Sequence, residues 1–517
     1  MQLSLPAPCA PWAHNSEFRF STVYSITISP PPRRWEGLLT GLPPRLRSEE
    51  ARRFRMQLGL SAGLPDDNSV IMSGHQAGFW HMGIAAKWLA LHQAAKQFGA
   101  STAWVVVDHD PADFSGLDVP VRDASGTLKI ERIELAPIKV AESIRAGVPP
   151  CLVEPFNAQL RLPAAVSANQ LGGFSPNLQA ATAALAQAKA NHIGHSAAMQ
   201  VATAAANMLA NAAGAGTGPG KLFPVTAMHT TDLFVTLINK MSESIHTAAS
   251  CSAAYNLAIA AAPHARLTPL VCDVTKGRVE LPLWHLDRAT GIRKRVFFHT
   301  LTGLLPQVLA PRALLLTGVL RWAACDLFIH GLGGGATADA PSIAGQPQHD
   351  DAANAESTLG GYDRAAEAWF ADWLGATLCP SVVVTATVCL ELGAPEVATP
   401  KQAAAARWRA QHARHDPSLL GNDAAATKKT RLVHAIAEAA PGSMARYGLF
   451  RELQQFLATY RQTNAAMLAE LIANADRTAA IAATSGTATD RTYSFVLHGD
   501  EGVRQLQERL RAEFAAK

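Results

Sequence analysis

The stretch that decides the fold is residues 69–90, SVIMSGHQAGFWHMGIAAKWLA. It begins with a short apolar segment typical of a strand, continues through a glycine-rich turn at 74–83, and then shows apolar residues at helical spacing. The next apolar run, TAWVVVDHD at 102–110, is continuous, as in a buried parallel strand. Strand, turn, helix and strand within about forty residues predict a βαβ unit.

The composition is that of a globular protein. Of the 517 residues, 48% are hydrophobic and 17% are charged, and this length predicts roughly two or three domains. The 45 basic residues are scattered among 41 acidic ones, so we expect no nucleic-acid partner, whereas small anionic ligands fit. The seven cysteines form no C-x-x-C pair, which favours reduced thiols in a cytoplasmic protein. We find no signal peptide and no membrane-spanning window, and expect no membrane partner.

We predict an α/β fold with a Rossmann-like parallel sheet core, Ala-rich helical insertions and a C-terminal, coiled-coil-like helical arm. The core includes a polar, acidic insert at 336–360 that we expect to be a disordered loop or lid. The predicted segments are an irregular N-terminal arm with a short helix (1–68), the first part of the core (69–174), an Ala-rich helical region with little strand character (175–262), the second part of the core (263–399), an arm of two long antiparallel helices (400–475), and a strand at 491–499 with a closing helix (476–517).

Polar side chains follow both strands of the βαβ unit. Ligands bind at the carboxyl ends of parallel strands, so these side chains are expected to face one crevice. Histidines and carboxylates there serve as general acid and base or as metal ligands, and the N-terminus of the following helix favours an anion. We assign no metal. The structural alternative is that the histidines cap a turn and that Asp110 caps the next segment. The candidate catalytic residues are His75, His81, Asp108, His109 and Asp110.

A second glycine-rich segment, DLFIHGLGGG at 326–335, lies before the insert, and YDRAAEAWF at 362–370 follows the insert as a predicted helix. Consecutive glycines allow the backbone to approach a ligand closely, and an upstream arginine can clamp a carboxylate or phosphate. The alternatives are a hinge on either side of a lid and an ordinary surface arginine. The candidate substrate-binding residues of this region are Arg312, His330, Gly333, Gly334, Tyr362 and Asp363.

These segments resemble a known family, the bacillithiol biosynthesis cysteine-adding enzymes. The resemblance lies in GHQAGF at 74–79, in Gly83, in a helix with Lys87, and in the strand that ends in DHD at 108–110. In the family, a G-Q-Q-x-G-L turn opens the first helix of a Rossmann-like core, and a later strand ends in E-D-H-D. Residues 310–370 loosely resemble its R-P helix and G-G-P turn, and 400–475 resembles its coiled coil. The chain departs from the family at His75, where the family has glutamine, at His81 and in the insert.

The resemblance implies a Rossmann-like core with a small-molecule substrate bound near Gly74, Gln76 and Gly78. It implies a ligase-like enzyme that forms a C–N bond by adding cysteine to glucosaminyl-malate, and a homodimer formed through 400–475. No cofactor is assigned from the sequence.

Two other functions remain open because such folds host many activities. A nucleotide-binding or nucleotidyl-transfer enzyme would use the turn at 74–83 as a divergent phosphate loop. A non-catalytic scaffold would dimerise through 400–475. The strings HIGH at 192–195 and KMSES at 240–244 match class I aminoacyl-tRNA synthetase signatures in letters only. No strand precedes the first string, and the second lies in a stretch predicted as continuous helix.

Overall fold

The structure is a computed structural model, and the chain is a mixed α/β protein with a mostly parallel main sheet. None of the described helices is both long and apolar enough to cross a membrane. The described residues are 21–40, 48–61, 68–123, 128–164, 166–191, 196–214, 218, 220–265, 267–331, 361–392 and 398–516.

The strands of the described residues are β1 (Ser21–Ser29), β2 (Val70–Gln76), β3 (Ser101–Val107), β4 (Gly116–Arg122), β5 (Leu128–Glu134), β6 (Lys221–Pro224), β7 (Cys272–Asp273), β8 (Arg278–Asp287), β9 (Ile292–Phe297), β10 (Leu309–Pro311), β11 (Leu327–His330) and β12 (Ser381–Leu390).

The α-helices of the described residues are α1 (Trp35–Thr40), α2 (Glu49–Gln57), α3 (Met82–Phe98), α4 (Ile138–Arg145), α5 (Ala168–Leu171), α6 (Phe174–Asn191), α7 (Ala197–Ala213), α8 (Asp232–Ser242), α9 (Ile245–Ala260), α10 (Phe298–Leu301), α11 (Ala313–Val319), α12 (Gly361–Leu374), α13 (Pro400–His412), α14 (Asp423–Glu438), α15 (Met444–Thr463), α16 (Ala465–Ala488) and α17 (Phe495–Ala515).

The main sheet has the strand order β1-β12-β11-β2-β3-β6. The strands from β12 to β6 are parallel to one another, and β1 pairs antiparallel with β12 at one edge. From β2 the chain adds β3 and β6 on one side and later returns to add β11 and β12 on the other. The strand order therefore reverses between β2 and β11, which is where open α/β sheets form their ligand crevices.

Helices cover both faces of this sheet, and each face has its own hydrophobic core. Helices α3, α7 and α17 pack on the face that carries Ile71 and Trp104. Helices α8, α9, α11 and α12 pack on the opposite face, with Met72 and Val105. Neighbouring residues of a strand point to opposite faces, so these residues alternate along β2 and β3. Apolar coverage on both sides explains why the core strands read as continuous apolar runs.

The predicted βαβ unit is confirmed as β2, α3 and β3. The first strand is two residues longer than its apolar segment and includes His75 and Gln76. Gly74 pairs with Val105, and a Cβ at position 74 would overlap the side chain and carbonyl of Val105. Only glycine allows the strands this close an approach.

The second part of the core, residues 263–399, contains both strands and helices. β7, β8 and β9 form antiparallel pairs, and β10 adds to β8. Helix α11 is followed by a π-helical turn at Leu320–Ala324 and by β11. Helix α12 ends before Gly375, whose φ is +61°, and β12 follows.

Two predictions for sheet content were wrong. The N-terminal region contains a strand, β1, and not only irregular chain and a short helix. The Ala-rich region also contains a strand, β6, which pairs with β3. Both strands lie at the edges of the sheet, where half of the backbone pairing and part of the burial are absent. Their sequences therefore carry a weaker apolar signal than those of the central strands.

Three further predictions, two of helices and one of a strand, also need correction. The arm at 400–475 contains α13 to α15 and part of α16 in place of two long helices, because the left-handed residues Gly421 and Gly442 interrupt it. Residues 491–499 are not a strand: Ser494 caps α17, and its apolar residues are buried as a helical turn. The KMSES segment is not continuous helix either, because Ser244 caps α9 after α8 has ended.

Candidate functional site

The carboxyl ends of β2 and β11 meet where the strand order reverses. His75 and Gln76 end β2, and His330 ends β11. Ile329 pairs with Ser73, so His330 lies beside the end of β2. The carboxyl ends of β2 and β11 therefore lie side by side at the point where open α/β sheets bind ligands.

Lys87 is the cation at this crevice. It lies on α3, only 5% of it is exposed, and its Nζ donates a 2.8 Å hydrogen bond to the carbonyl of Gly74. The ammonium group is 5.5 Å from the centre of the Trp104 ring, and a Cβ at Gly331 would contact its side chain. Burial lowers the pKa of Lys87 to about 7. The amine therefore exchanges its proton near neutral pH.

His75 lies beside this lysine. Burial, and to a lesser extent the positive charge of Lys87, lower the pKa of His75 to about 3, so its ring is neutral under ordinary conditions. Its Nδ1 has no hydrogen-bond partner among the described residues. A buried polar atom without a partner loses free energy, and a ligand group at this position would satisfy it.

His81 is the N-cap of α3. Its Nδ1 accepts a 3.1 Å hydrogen bond from the backbone N–H of Gly83. Burial, together with the nearby Arg491, lowers the pKa of His81 to about 4, which keeps the ring neutral and able to accept this bond. His81 therefore has the geometry of a turn cap, which was the structural alternative to a catalytic role.

Asp108 and His109 point into the interior at the end of β3 and are almost fully buried. Thr226 donates to Asp108 through its backbone N–H and its hydroxyl. Burial raises the pKa of Asp108 to about 6, although the bonds from Thr226 oppose this shift. Burial also lowers the pKa of His109 to about 4. The bonds between Thr226 and Asp108 hold the end of β3 against the segment after β6.

Asp110, in contrast, points toward the end of β2. The Nε2 atom of Gln76 donates to Asp110 over 3.4 Å, and Arg293 forms an ion pair with the same carboxylate. Gln76 and Asp110 were both predicted as site residues, and the structure brings them together. Arg293 was missed, because it comes from β9 and no local pattern in the sequence connects it with the end of β3.

Arg312 is already paired. Its guanidinium contacts the buried carboxylate of Glu280 at 2.5 Å and lies 4.7 Å from the centre of the Trp284 ring. Arg293 covers the same ring at 4.2 Å. The two arginines and Trp284 therefore form a wall beside Asp110, and the predicted anion clamp of Arg312 is occupied by Glu280.

His330, Tyr362 and Asp363 come together on the face opposite Lys87. The Nε2 atom of His330 is 3.0 Å from Asp363 Oδ1, and Arg321 donates to the same oxygen over 3.0 Å. Burial alone would raise the pKa of Asp363, but His330 and Arg321 hold it below its ordinary value. Burial raises the pKa of Tyr362, whose hydroxyl is 3.3 Å from that of Thr317.

Gly78 lies in the turn before α3, next to the buried Phe79. Gly333, Gly334, the insert at 336–360 and the HIGH string at 192–195 lie outside the described residues.

Lys87 is the site residue that the sequence analysis used least. Its signal is the one charged residue in the first half of α3, MGIAAKWLAL at 82–91, which is otherwise uncharged and is buried throughout, with Ala86 and Trp88 as its neighbours.

Among the described residues, no three His, Cys, Asp or Glu side chains converge in a way that could hold a metal ion. The side chains that the site does show, Lys87, His75 and His330, are of types that transfer protons or bind polar groups. No protein-family model matches the chain, and neither a curated protein nor a solved structure does.

Proposed function

We propose that the chain is an enzyme with a Rossmann-like core that joins an amine- or thiol-containing small molecule to a sugar or acid substrate. The observation that carries this proposal is the buried amine of Lys87 at the crossover between β2 and β11. Among the described residues no carboxylate is bonded to Lys87, and a buried amine of this kind lowers stability. A buried titratable group at the carboxyl ends of parallel strands is typical of functional sites.

The proposed roles follow from the two faces of the crevice. Lys87, whose pKa is about 7, exchanges a proton with the reacting amine or thiol or binds an anionic substrate group. The free Nδ1 of His75 binds a polar substrate group. From the other face His330, held at 3.0 Å by Asp363, accepts a proton as the bond forms. Asp110, Gln76 and Arg293 line the adjoining wall.

The resemblance to the cysteine-adding enzymes supports cysteine and glucosaminyl-malate as the first substrates to test. The alternative, a nucleotidyl-transfer enzyme with a phosphate loop at 74–83, is less well supported. In that turn the N–H of Gly83 is already bonded to His81 and is not free for a phosphate.

The test is a product assay by mass spectrometry on the full chain with cysteine and glucosaminyl-malate, with and without magnesium ATP. We expect a condensation product from the wild-type chain, its loss in Lys87→Met, and its retention in Lys96→Met, a matched change at an exposed position of the same helix. Product formation by Lys87→Met would overturn the role of this amine. Consumption of ATP without condensation would support nucleotidyl transfer, and no turnover by any variant would favour a scaffold.

We also propose that the chain is a cytoplasmic homodimer formed through 400–475. Apolar side chains on α15 support the dimer, since Met444 and Tyr447 are 83% and 61% exposed and lie one turn apart. The described cysteines are free thiols, which fits a reducing compartment.

A further inference from the structure

We propose that Cys325 and Cys379 form an oxidisable dithiol whose disulfide controls the position of His330. The two sulfur atoms are 3.6 Å apart, and both residues are completely buried. Cys325 lies two residues before β11 and Cys379 two residues before β12, so the thiols lie next to each other at the amino ends of two adjacent parallel strands.

A disulfide requires about 2 Å between the sulfurs, so they must close from 3.6 Å. Among the described residues, each thiol also donates a hydrogen bond to one backbone carbonyl at 3.5 Å, Cys325 to that of Leu320 and Cys379 to that of Pro380, and such bonds are weak. Cys325 directly follows the π-helical turn at Leu320–Ala324, and π turns interrupt regular helical bonding, often at functional positions.

The step balances with hydrogen peroxide as the oxidant. One cysteine sulfur attacks a peroxide oxygen, the O–O bond breaks, and a sulfenic acid and one water form. The second sulfur then attacks the sulfenic sulfur, the S–O bond breaks, and the S–S bond forms with loss of a second water. The two sulfurs together lose two electrons, which reduce the peroxide, and the two thiol protons leave in the water.

Hydrogen bonds connect this dithiol to Asp363, whose carboxylate lies 3.0 Å from Nε2 of His330. The backbone N–H of Cys379 donates to the carbonyl of Arg321 at 2.8 Å. The carbonyl of Cys379 accepts from Arg321 at 3.0 Å and 2.6 Å. Arg321 in turn donates to Asp363, which contacts His330. Since the peptide of Cys379 is bonded to Arg321 through both its groups, movement of Cys379 displaces Arg321 and then Asp363.

The consequence at the site rests on the proposed function, whereas disulfide formation does not. Burial raises the pKa of Cys325 and protects both thiols, so oxidation requires local opening and is slower than at an exposed thiol. Cys272 is exposed and provides an internal reference for the reaction with peroxide.

The test treats the full chain with hydrogen peroxide, blocks remaining thiols with N-ethylmaleimide, and maps digested peptides without reduction. We expect a peptide pair linked through Cys325 and Cys379, loss of both thiols, and their recovery with dithiothreitol. The Cys272→Ser chain should form the same link and Cys379→Ser should not. The proposal fails if Cys272 is oxidised while both buried thiols stay free, or if the link appears only in urea.

A second measurement follows His330 directly, without any substrate. Carbethoxylation of His330 by diethyl pyrocarbonate should accelerate several-fold once the disulfide forms, because displaced Asp363 no longer holds the ring. Peroxide should leave this rate unchanged in Cys379→Ser. A formed disulfide with an unchanged rate would overturn the connection to His330. Failure of the proposed function is separate, since it would appear as missing condensation product in the fully reduced wild-type chain.

Discussion

Lys87 and His81 show how the surroundings decide what a side chain does. His81 is the N-cap of α3 and Lys87 lies on that helix, and both belong to the stretch at 69–90. The Nδ1 atom of His81 accepts a 3.1 Å hydrogen bond from the backbone N–H of Gly83, so His81 serves as the N-cap of the helix. The amine of Lys87 has one carbonyl at 2.8 Å, while burial opposes its charge. The hydrogen-bonding atom of His81 is therefore satisfied within the fold, whereas the buried amine of Lys87 gains and loses its proton near neutral pH.

Replacing Lys87 by methionine is expected to stabilise the fold while abolishing turnover. The folded pKa of about 7 lies below the ordinary value of 10.5. At about 1.4 kcal/mol per pKa unit, the ionised amine costs on the order of 4–5 kcal/mol below pH 7. Between the two pKa values the unfolded chain binds more protons, so the stability of the wild type rises with pH. The stability advantage of Lys87→Met should therefore shrink between pH 7 and pH 10, by about 1.4 kcal/mol per unit.

Urea unfolding of both chains on either side of pH 7 measures this effect, with Lys96→Met as the control for loss of a lysine. An advantage of Lys87→Met that does not change with pH would show that the amine is not the group that titrates. A strongly destabilised Lys87→Met would show that packing around the amine matters more than its charge.

At the scale of elements, α3 connects the fold to the site. His81 begins the helix at the end of the turn, and its own backbone makes a single bridge to Ser494, the cap of α17. The helix then runs past β12 and α17 and delivers Lys87 to the crevice. The turn between β2 and α3 therefore sets where the amine of Lys87 lies, and weakening the His81 cap would change the position of that amine at the site.

Removing the cap gives a prediction at this scale. His81→Ala is expected to lose about 1 kcal/mol of unfolding free energy, and His81→Asn, which carries a good capping side chain, should recover most of it. The folded pKa of about 4 lies below the ordinary 6.5. The unfolded chain therefore takes up the proton first, and the contribution of His81 is lost as the pH falls from about 6.5 to about 4.

Thermal unfolding of the three chains at neutral pH and near pH 5 checks both parts. Equal midpoints for wild type and His81→Ala would contradict the capping role. Loss of condensation activity in a stable His81→Asn chain would instead assign His81 to chemistry, as the sequence first indicated.

At the scale of the whole molecule, distant parts of the chain complete one core. Strand β1 pairs with β12, and α17 packs on α3, α7 and β1. The helical arm leaves this core and returns to nearly the same place, since the N–H of Ala398 donates to the hydroxyl of Ser485 at 3.1 Å. The arm is therefore a side structure on a closed core, and its exposed apolar face is available to a second copy.

We expect sedimentation to show a dimer, and the double change Met444→Glu and Tyr447→Glu to yield monomers with an unchanged unfolding midpoint. Leu257→Glu is the matched control, because Leu257 is 68% exposed on α9, outside the arm. A wild-type chain that stays monomeric at all concentrations would contradict the dimer.

The sequence alone determined the central βαβ unit and the carboxyl edge of the sheet as the place of the polar residues. Strand and helix periods are local, and continuous apolar runs follow directly from burial on both faces. The edge strands β1 and β6 were not predicted because their apolar signals are weak. The breaks in the arm were not predicted because each depends on a single glycine.

Only the tertiary structure decided which polar residues meet and what each of them does. The contact of Arg293 with Asp110, the occupation of Arg312 by Glu280, and the burial of Lys87 join elements far apart in sequence. Proton affinities and ion pairs depend on desolvation and on the nearest charges in space. Those quantities exist only once the chain has folded, so no local pattern could have supplied them.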